Sequence, residues 1–190
     1  MKYYQKDLEI TKNIGDAAGL ATTYNNIGLI HNAQGNYPEA LKYYQKDLEI
    51  TEKIGDAAGL AVTYNNIASI HYAQGDYPEA LKYYQKSKEI MEKIGDTAGL
   101  VAAYSNIGGI YYSRGNYSKA LEYGNKSAKI SEKIGDRAGL AMIYKNLGSL
   151  ALSMKDYNKA LNYFIMSRDI YKKIGLEKDA AEAKNMIKSL

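Results

Sequence analysis

Residues 55–94, GDAAGLAVTYNNIASIHYAQGDYPEALKYYQKSKEIMEKI, decide the fold of this sequence because they are a second copy of the stretch before them. They match residues 15–54 at 32 of 40 positions, and the same skeleton returns with more substitutions in residues 95–134 and 135–174. Self-similarity at a fixed period of about 20 to 50 residues is the signature of a repeat protein. The chain therefore divides into a half repeat at 1–14, these four full repeats, and a degenerate front half at 175–190.

Each repeat carries the patterns of two helices, and no strand pattern occurs. In the first helix the core residues recur every three or four positions, which places them on one face; they are Leu20, Tyr24, Ile27 and His31. The second helix carries Tyr37, Ala40, Leu41, Tyr44 and Leu48 at helical spacing. Gly35 and the Ile-Gly-Asp joint at 54–56 mark helix ends. The sequence therefore predicts an all-α fold of about ten helices in antiparallel pairs, stacked as a solenoid.

The positions that the repeats keep are those of a known family. In the first copy they are Tyr24, Ile27-Gly28, His31, Gly35-x-Tyr37, Ala40 and Tyr44. This pattern resembles the tetratricopeptide repeat, in the 40-residue form seen in kinesin light chains, spindle-orientation scaffolds and prokaryotic regulatory proteins. The resemblance covers essentially the whole chain and implies one right-handed superhelical solenoid domain over residues 1–190, closed by a C-terminal capping helix. One departure is Asp47, which stands where the family usually has alanine.

Composition excludes several classes of function. The net charge is only +4, which does not indicate binding to nucleic acid or to a membrane surface. The chain shows no apolar run long enough to cross a bilayer and no signal peptide at its charged start. It has no cysteine, which is compatible with a reducing compartment. We therefore expect a cytoplasmic protein that contacts neither nucleic acid nor membrane.

The residue types that carry catalysis or hold cofactors do not form recognisable patterns. No nucleophile–base–orienter set, phosphate-binding glycine loop or paired-carboxylate cleft occurs. The two histidines, His31 and His71, occupy a core position one repeat apart and lack the further ligands that a zinc ion needs. The sequence thus predicts no enzymatic activity, no cofactor and no metal site.

One asparagine returns in every repeat, at Asn26, Asn66, Asn106 and Asn146. Asparagine is a mediocre helix residue because its amide competes for backbone groups, so its repetition requires a reason. It lies on a stripe offset from the core face, and the family resemblance implies that this stripe lines the concave surface of the solenoid. The amide offers both a donor and an acceptor, which matches a peptide bond without reading a side-chain sequence.

We therefore expect a protein or peptide in extended conformation to bind in this groove through an asparagine ladder, as the resemblance to other 40-residue repeats also implies. Helices pack about 8–10 Å apart and an extended chain advances about 3.3 Å per residue, so one asparagine meets roughly every third ligand residue. Further residues are expected to line or border the groove: Asn25, Asn65, Leu29, Ser69, Gly109, Tyr72, Tyr112 and, as its strong charge, Lys145.

Two alternatives stay open at the level of sequence. The repeated amides can instead form hydrogen bonds within the scaffold and fix the packing of the repeats. The chain can also be a self-associating assembly module, or an excised or engineered array, with no peptide ligand of its own. Residues 1–14 have no partner helix before them, and they are the expected surface of a homodimer.

Overall fold

The computed structural model describes residues 10–11 and 14–190, and this part of the chain is all-α without strands. Consecutive helices are joined by two or three residues and pack as antiparallel pairs. The predicted fold class is confirmed. The helices are α1 (Ala17–Ala33), α2 (Tyr37–Ile54), α3 (Ala57–Ala73), α4 (Tyr77–Ile94), α5 (Thr97–Ser113), α6 (Tyr117–Ile134), α7 (Arg137–Ser153), α8 (Tyr157–Lys173) and α9 (Glu177–Lys188).

The contacts divide the chain into two compact units, Met1–Gly95 and Asp96–Leu190. Unit 1 contains α1 to α4, and unit 2 contains α5 to α9. A single solenoid domain over residues 1–190 stays a prediction. The expected homodimer surface at 1–14 lies outside the described residues, apart from Ile10, Thr11 and Ile14.

The joints between repeats are built as the Ile-Gly-Asp pattern predicts. Gly55 ends α2 in the left-handed conformation at φ 72°, which glycine adopts without steric cost. Asp56 then caps α3, because its carboxylate accepts a hydrogen bond of 2.9 Å from the backbone N–H of Gly59. The same aspartate cap begins the first helix of every full repeat, and this cap fixes where each of those helices starts.

The two helices of a repeat approach closely where a large ring meets a small residue. The Tyr44 side chain of α2 is fully buried in the core of unit 1 and lies over Gly28 of α1. A Cβ atom added at Gly28 would come within 2.5 Å of the Tyr44 ring. Phe164 of α8 covers Gly148 of α7 in the same way in unit 2, again with 2.5 Å to an added Cβ atom. This contact fixes the position of α1 against α2 and of α7 against α8.

A second aromatic contact occupies the other side of each pair. Tyr43 of α2 stacks on the His31 ring at 5.5 Å between centroids and also touches Tyr24 at 6.0 Å. Tyr83 stacks on His71 in the next repeat at 5.6 Å. Both histidines are therefore packed against tyrosine rings, which fits the core role that the sequence predicts for them.

None of the helices in the described part of the chain combines the length and the apolar character that a membrane crossing requires.

Lys155 gives a test of the turn geometry within the repeats. It has φ 59°, whereas the corresponding turns of the first three repeats have Gly35, Gly75 and Gly115 at φ 73°, 78° and 71°. The left-handed conformation is costly for a residue with a Cβ atom, so Lys155→Gly should raise the free energy of unfolding by about 0.5–1 kcal/mol. Urea denaturation at neutral pH measures this change.

The matched control is Met154→Gly at the neighbouring position, where φ is −85° and glycine relieves nothing. This variant should be no more stable than the parent chain, because glycine adds only backbone entropy to the unfolded state. A loss of stability in Lys155→Gly as large as that in Met154→Gly would contradict the argument.

Candidate functional site

The first helices of the repeats expose the face that carries the predicted groove residues. In unit 1, Leu29 of α1 is 43% exposed and Val62 of α3 is 49% exposed. In unit 2, Met142 of α7 is 52% exposed, and a Cβ atom added at Gly109 of α5 would meet no atom within 4 Å. Each unit therefore presents an open, largely apolar surface beside its asparagines.

The two asparagines of unit 1 lie half-buried on this surface. The Asn66 side chain donates a hydrogen bond of 3.3 Å from Nδ2 to Oδ1 of Asn25, one repeat earlier. Within the described residues, the Asn26 side chain makes no hydrogen bond. Among the described residues, Asn66 thus bonds to a side chain of the neighbouring repeat, whereas Asn26 does not.

Asn25, which the sequence predicts at the border of the groove, makes its hydrogen bonds between helices. Its Nδ2 donates to Oδ2 of Asp47 on α2 at 3.0 Å and to Oγ1 of Thr63 on α3 at 3.1 Å. Its Oδ1 accepts from Asn66. All three polar contacts are made within the scaffold, so the amide of Asn25 joins three helices of unit 1.

Asp47 is the centre of this polar cluster. The residue is only 3% exposed, and its Oδ2 accepts hydrogen bonds from Asn25 and from the hydroxyl of Thr63. Burial raises the pKa of the Asp47 carboxyl above its ordinary value, the hydrogen bonds from Thr63 and Asn25 oppose that rise, and the Asp56 carboxylate adds to it. The sequence marks Asp47 only as a departure from the family pattern and does not predict its contacts.

The corresponding position in the later repeats carries serine. Ser87 donates to the backbone carbonyl of Ala61 at 2.7 Å, and Ser127 donates to that of Val101 at 2.9 Å. Ser167 is fully buried, and its hydroxyl has no hydrogen-bond partner in the described part of the chain. Among these four positions, the first repeat alone carries a carboxylate between its helices.

Unit 2 arranges its predicted groove residues differently. Asn146 is exposed and makes no side-chain hydrogen bond in the described part of the chain, whereas Asn106 is half-buried. Lys145 forms an ion pair of 3.2 Å with Glu182 of α9. The strong charge predicted for the groove is therefore paired with a carboxylate of the last helix.

The remaining predicted residues occupy the edges of these surfaces. Tyr72 packs on Tyr77 at 5.7 Å between ring centroids. Tyr112 packs on Tyr117 at 5.6 Å and its hydroxyl lies 3.2 Å from Oγ of Ser153. Asn65 and Ser69 are half-buried, and the Ser69 hydroxyl donates to the carbonyl of Asn66. Both tyrosines stay exposed enough to contact a partner.

The chemistry of these surfaces is that of neutral hydrogen-bonding groups and apolar side chains. Helices α1, α3 and α5 contain no Lys, Arg, Asp or Glu. Among the described residues, no group of three or more His, Cys, Asp or Glu side chains could hold a metal ion. The exposed faces therefore offer hydrogen-bond donors and acceptors of side-chain amides.

The chain belongs to the tetratricopeptide repeat family. The sequence model of this family matches residues 2–53, 19–93, 59–133 and 99–173, which together span nearly the whole chain. A comparison with curated proteins finds no significant match.

Several solved structures share the fold. The chain superposes on BtubC (BKLC) from P. vanneervenii with a TM-score of 0.76 and 22% identity, over 84% of this chain and 66% of that one. It also superposes on a signal transduction ATPase with numerous domains from Pyrococcus horikoshii, which has a tetratricopeptide repeat sensor. Here the TM-score is 0.82 and the identity 25%, over 97% of this chain and 29% of that one. For aspartyl phosphate phosphatase F from Bacillus subtilis, the TM-score is 0.80 and the identity 17%, over 95% of this chain and 48% of that one. The chain thus spans between 29% and 66% of these proteins.

The raised pKa of Asp47 predicts how stability depends on pH. The folded chain holds the Asp47 proton more tightly than the unfolded chain, whose carboxyl titrates near 3.8. Ionisation therefore costs folding free energy as the pH rises from that value through the pKa of the folded state. Over this window, Asp47→Asn should gain stability relative to the parent chain, at no more than about 1.4 kcal/mol per pH unit.

Urea denaturation of both proteins between about pH 3 and pH 8 measures this difference. Ser87→Ala removes a hydroxyl from the matching position and should show a difference that is independent of pH. If the stability difference between Asp47→Asn and the parent chain stays constant with pH, or increasingly favours the parent chain as the pH rises, burial does not dominate the pKa of this carboxyl.

Proposed function

We propose that this protein is a protein-interaction module whose first helices bind extended segments of a partner, through the amides of Asn26 and Asn66 in unit 1 and of Asn106 and Asn146 in unit 2. Tetratricopeptide repeats typically serve as non-enzymatic scaffolds for protein partners, and the family membership supports this general role. The observation that carries the finer proposal is an exposed, nearly uncharged face with one amide per repeat.

The chemistry of the face favours a peptide backbone over other ligands. An asparagine side chain offers a donor and an acceptor, and a peptide bond offers the same pair. Nucleic-acid backbones are bound mainly through Lys and Arg side chains, and α1, α3 and α5 have none. Lys145, the lysine of α7, is paired with Glu182. We therefore infer a protein ligand rather than a nucleic acid or a membrane.

The repeat length sets which ligand residues are held. Helices pack about 8–10 Å apart, and an extended chain advances about 3.3 Å per residue. The two asparagines of one unit would thus contact ligand residues roughly three positions apart. The ligand residues between them would face the exposed apolar side chains, such as Val62 in unit 1 and Met142 in unit 2. Hydrogen bonds to the ligand backbone, with apolar contacts to the ligand residues between them, are compatible with a range of partner sequences.

We infer that the protein recognises its partner in the cytoplasm and does not act as an enzyme. The Pyrococcus horikoshii ATPase carries its similar segment as a sensor, and its 25% identity with this chain supports a regulatory setting. The chain has no cysteine for disulfides, which suits a reducing compartment.

Asn146 provides the cleanest test, because its side chain is exposed and makes no hydrogen bond in the described part of the chain. A phage-displayed library of random peptides is selected on the full chain, and the affinity of a selected peptide is measured by calorimetry. Asn146→Ala should weaken binding about five- to tenfold, because it removes hydrogen bonds to the ligand. Its melting temperature should stay unchanged.

The matched control is Asn162→Ala, which removes an exposed amide from α8, the second helix of the same repeat. Binding to this variant should equal that of the parent chain. Failure to select any peptide, or equal binding by Asn146→Ala, would refute the asparagine-ladder proposal.

A further inference from the structure

We propose that Asp47 is a positioning residue that acts through Asn25 to hold the Asn66 amide in one orientation. The hydrogen bonds that support this proposal run through unit 1. They connect Oδ2 of Asp47 to Nδ2 of Asn25, and Oδ1 of Asn25 to Nδ2 of Asn66, at 3.0 Å and 3.3 Å. The chain of contacts begins at a buried group and ends at the exposed face.

The orientation follows from what a carboxylate can do in hydrogen bonding. A carboxylate only accepts, so the side of Asn25 that faces Asp47 must be its NH₂ group. The hydroxyl of Thr63 also donates to Asp47, which leaves its oxygen to accept from the same NH₂ group. The NH₂ group of Asn25 therefore faces Asp47 and Thr63. Its carbonyl oxygen faces Asn66 and accepts a hydrogen bond from the NH₂ group of Asn66.

This arrangement decides which groups Asn66 keeps for a ligand. One hydrogen of its NH₂ group is used by Asn25, so the second hydrogen and the carbonyl oxygen remain. These are one donor and one acceptor, as a peptide bond requires. An amide that is held in one orientation loses less rotational freedom when the ligand binds, which favours affinity.

A serine at the same repeat position does not build this arrangement in unit 2. Ser127 donates to the carbonyl of Val101 and lies 2.9 Å from the hydroxyl of Ser105, which stands where the first repeat has Asn25. A hydroxyl is shorter than an amide and both donates and accepts, so it does not impose a direction. In the described residues Asn146 has no link to Ser105. Among the contacts described, Asp47 orients the Asn66 amide through Asn25 in unit 1, and the serine of unit 2 does not do so for Asn146.

The experiment measures the exchange with water of the Asn66 side-chain NH₂ hydrogens by ¹H–¹⁵N NMR on the full chain. Asp47→Ser introduces the residue that the other repeats carry, so the fold is expected to persist. It should accelerate exchange of the Asn66 NH₂ hydrogens about tenfold, because the acceptor that orients Asn25 is lost. Asp47→Asn keeps the volume but can donate as well as accept, and it should accelerate exchange at Asn66 too.

Two controls separate positioning from a general loss of structure. Ser127→Ala alters the matching position in unit 2 and should leave exchange at Asn66 unchanged. The backbone amides of α3 should exchange at the parent rate in Asp47→Ser. Equal NH₂ exchange at Asn66 in Asp47→Ser and in the parent chain would overturn the proposal, and so would backbone exchange that rises by the same factor.

A second readout connects the arrangement to binding, and only this part rests on the proposed function. A peptide selected from the random library should bind Asp47→Ser about three- to tenfold more weakly than the parent chain. If no peptide is selected, the proposed function fails while the exchange result still decides the role of Asp47. If a peptide is selected and binds both proteins equally, Asp47 does not position the site.

Discussion

The structure depends on one constraint, which is that a single helix pair cannot bury its apolar residues alone and needs the next pair to cover them. Within a pair, the same ring-over-glycine contact returns, with Tyr44 over Gly28 and Phe164 over Gly148. The need for a covering pair decides which residues can serve a ligand. Positions between helices must be satisfied within the protein, whereas positions on the outer side of the first helices remain exposed.

The fold could be predicted from the sequence because its signals are local and repeated. The period, the Ile-Gly-Asp joints and the turn glycines identify helix pairs without knowledge of any long-range contact. Lys155 shows the strength of this periodic signal, because its turn adopts the left-handed conformation although the glycine of the other repeats is absent. The exposed stripe follows from the same periodicity, since the rotation per residue fixes which side chains leave the core.

The partners of the polar side chains could not be predicted, because a shift of one position along a helix turns a side chain by about 100°. Asn25 and Asn66 occupy adjacent positions of their repeats, yet the amide of Asn25 contacts Asp47 and Thr63 inside the scaffold. The sequence places Lys145 in the groove as its charge. Its ion pair with Glu182 could not be predicted, because the distance between the two residues depends on how α9 packs. Sequence spacing gives the face of a helix, but the reach of each side chain depends on the neighbouring helix.

In its proposed role, Asp47 opposes stability but serves the orientation of a binding group. Burial of a carboxylate disfavours its ionised form, and the corresponding positions of the three later full repeats avoid this cost by carrying serine. A carboxylate differs from serine in that it only accepts hydrogen bonds, and this single property fixes the direction of every amide connected to it. A scaffold built only for packing has no use for direction, since serine or alanine would fill the space. Ionised Asp47 therefore has a physical use where the orientation of a surface amide matters, and through Asn25 it reaches the half-buried amide of Asn66.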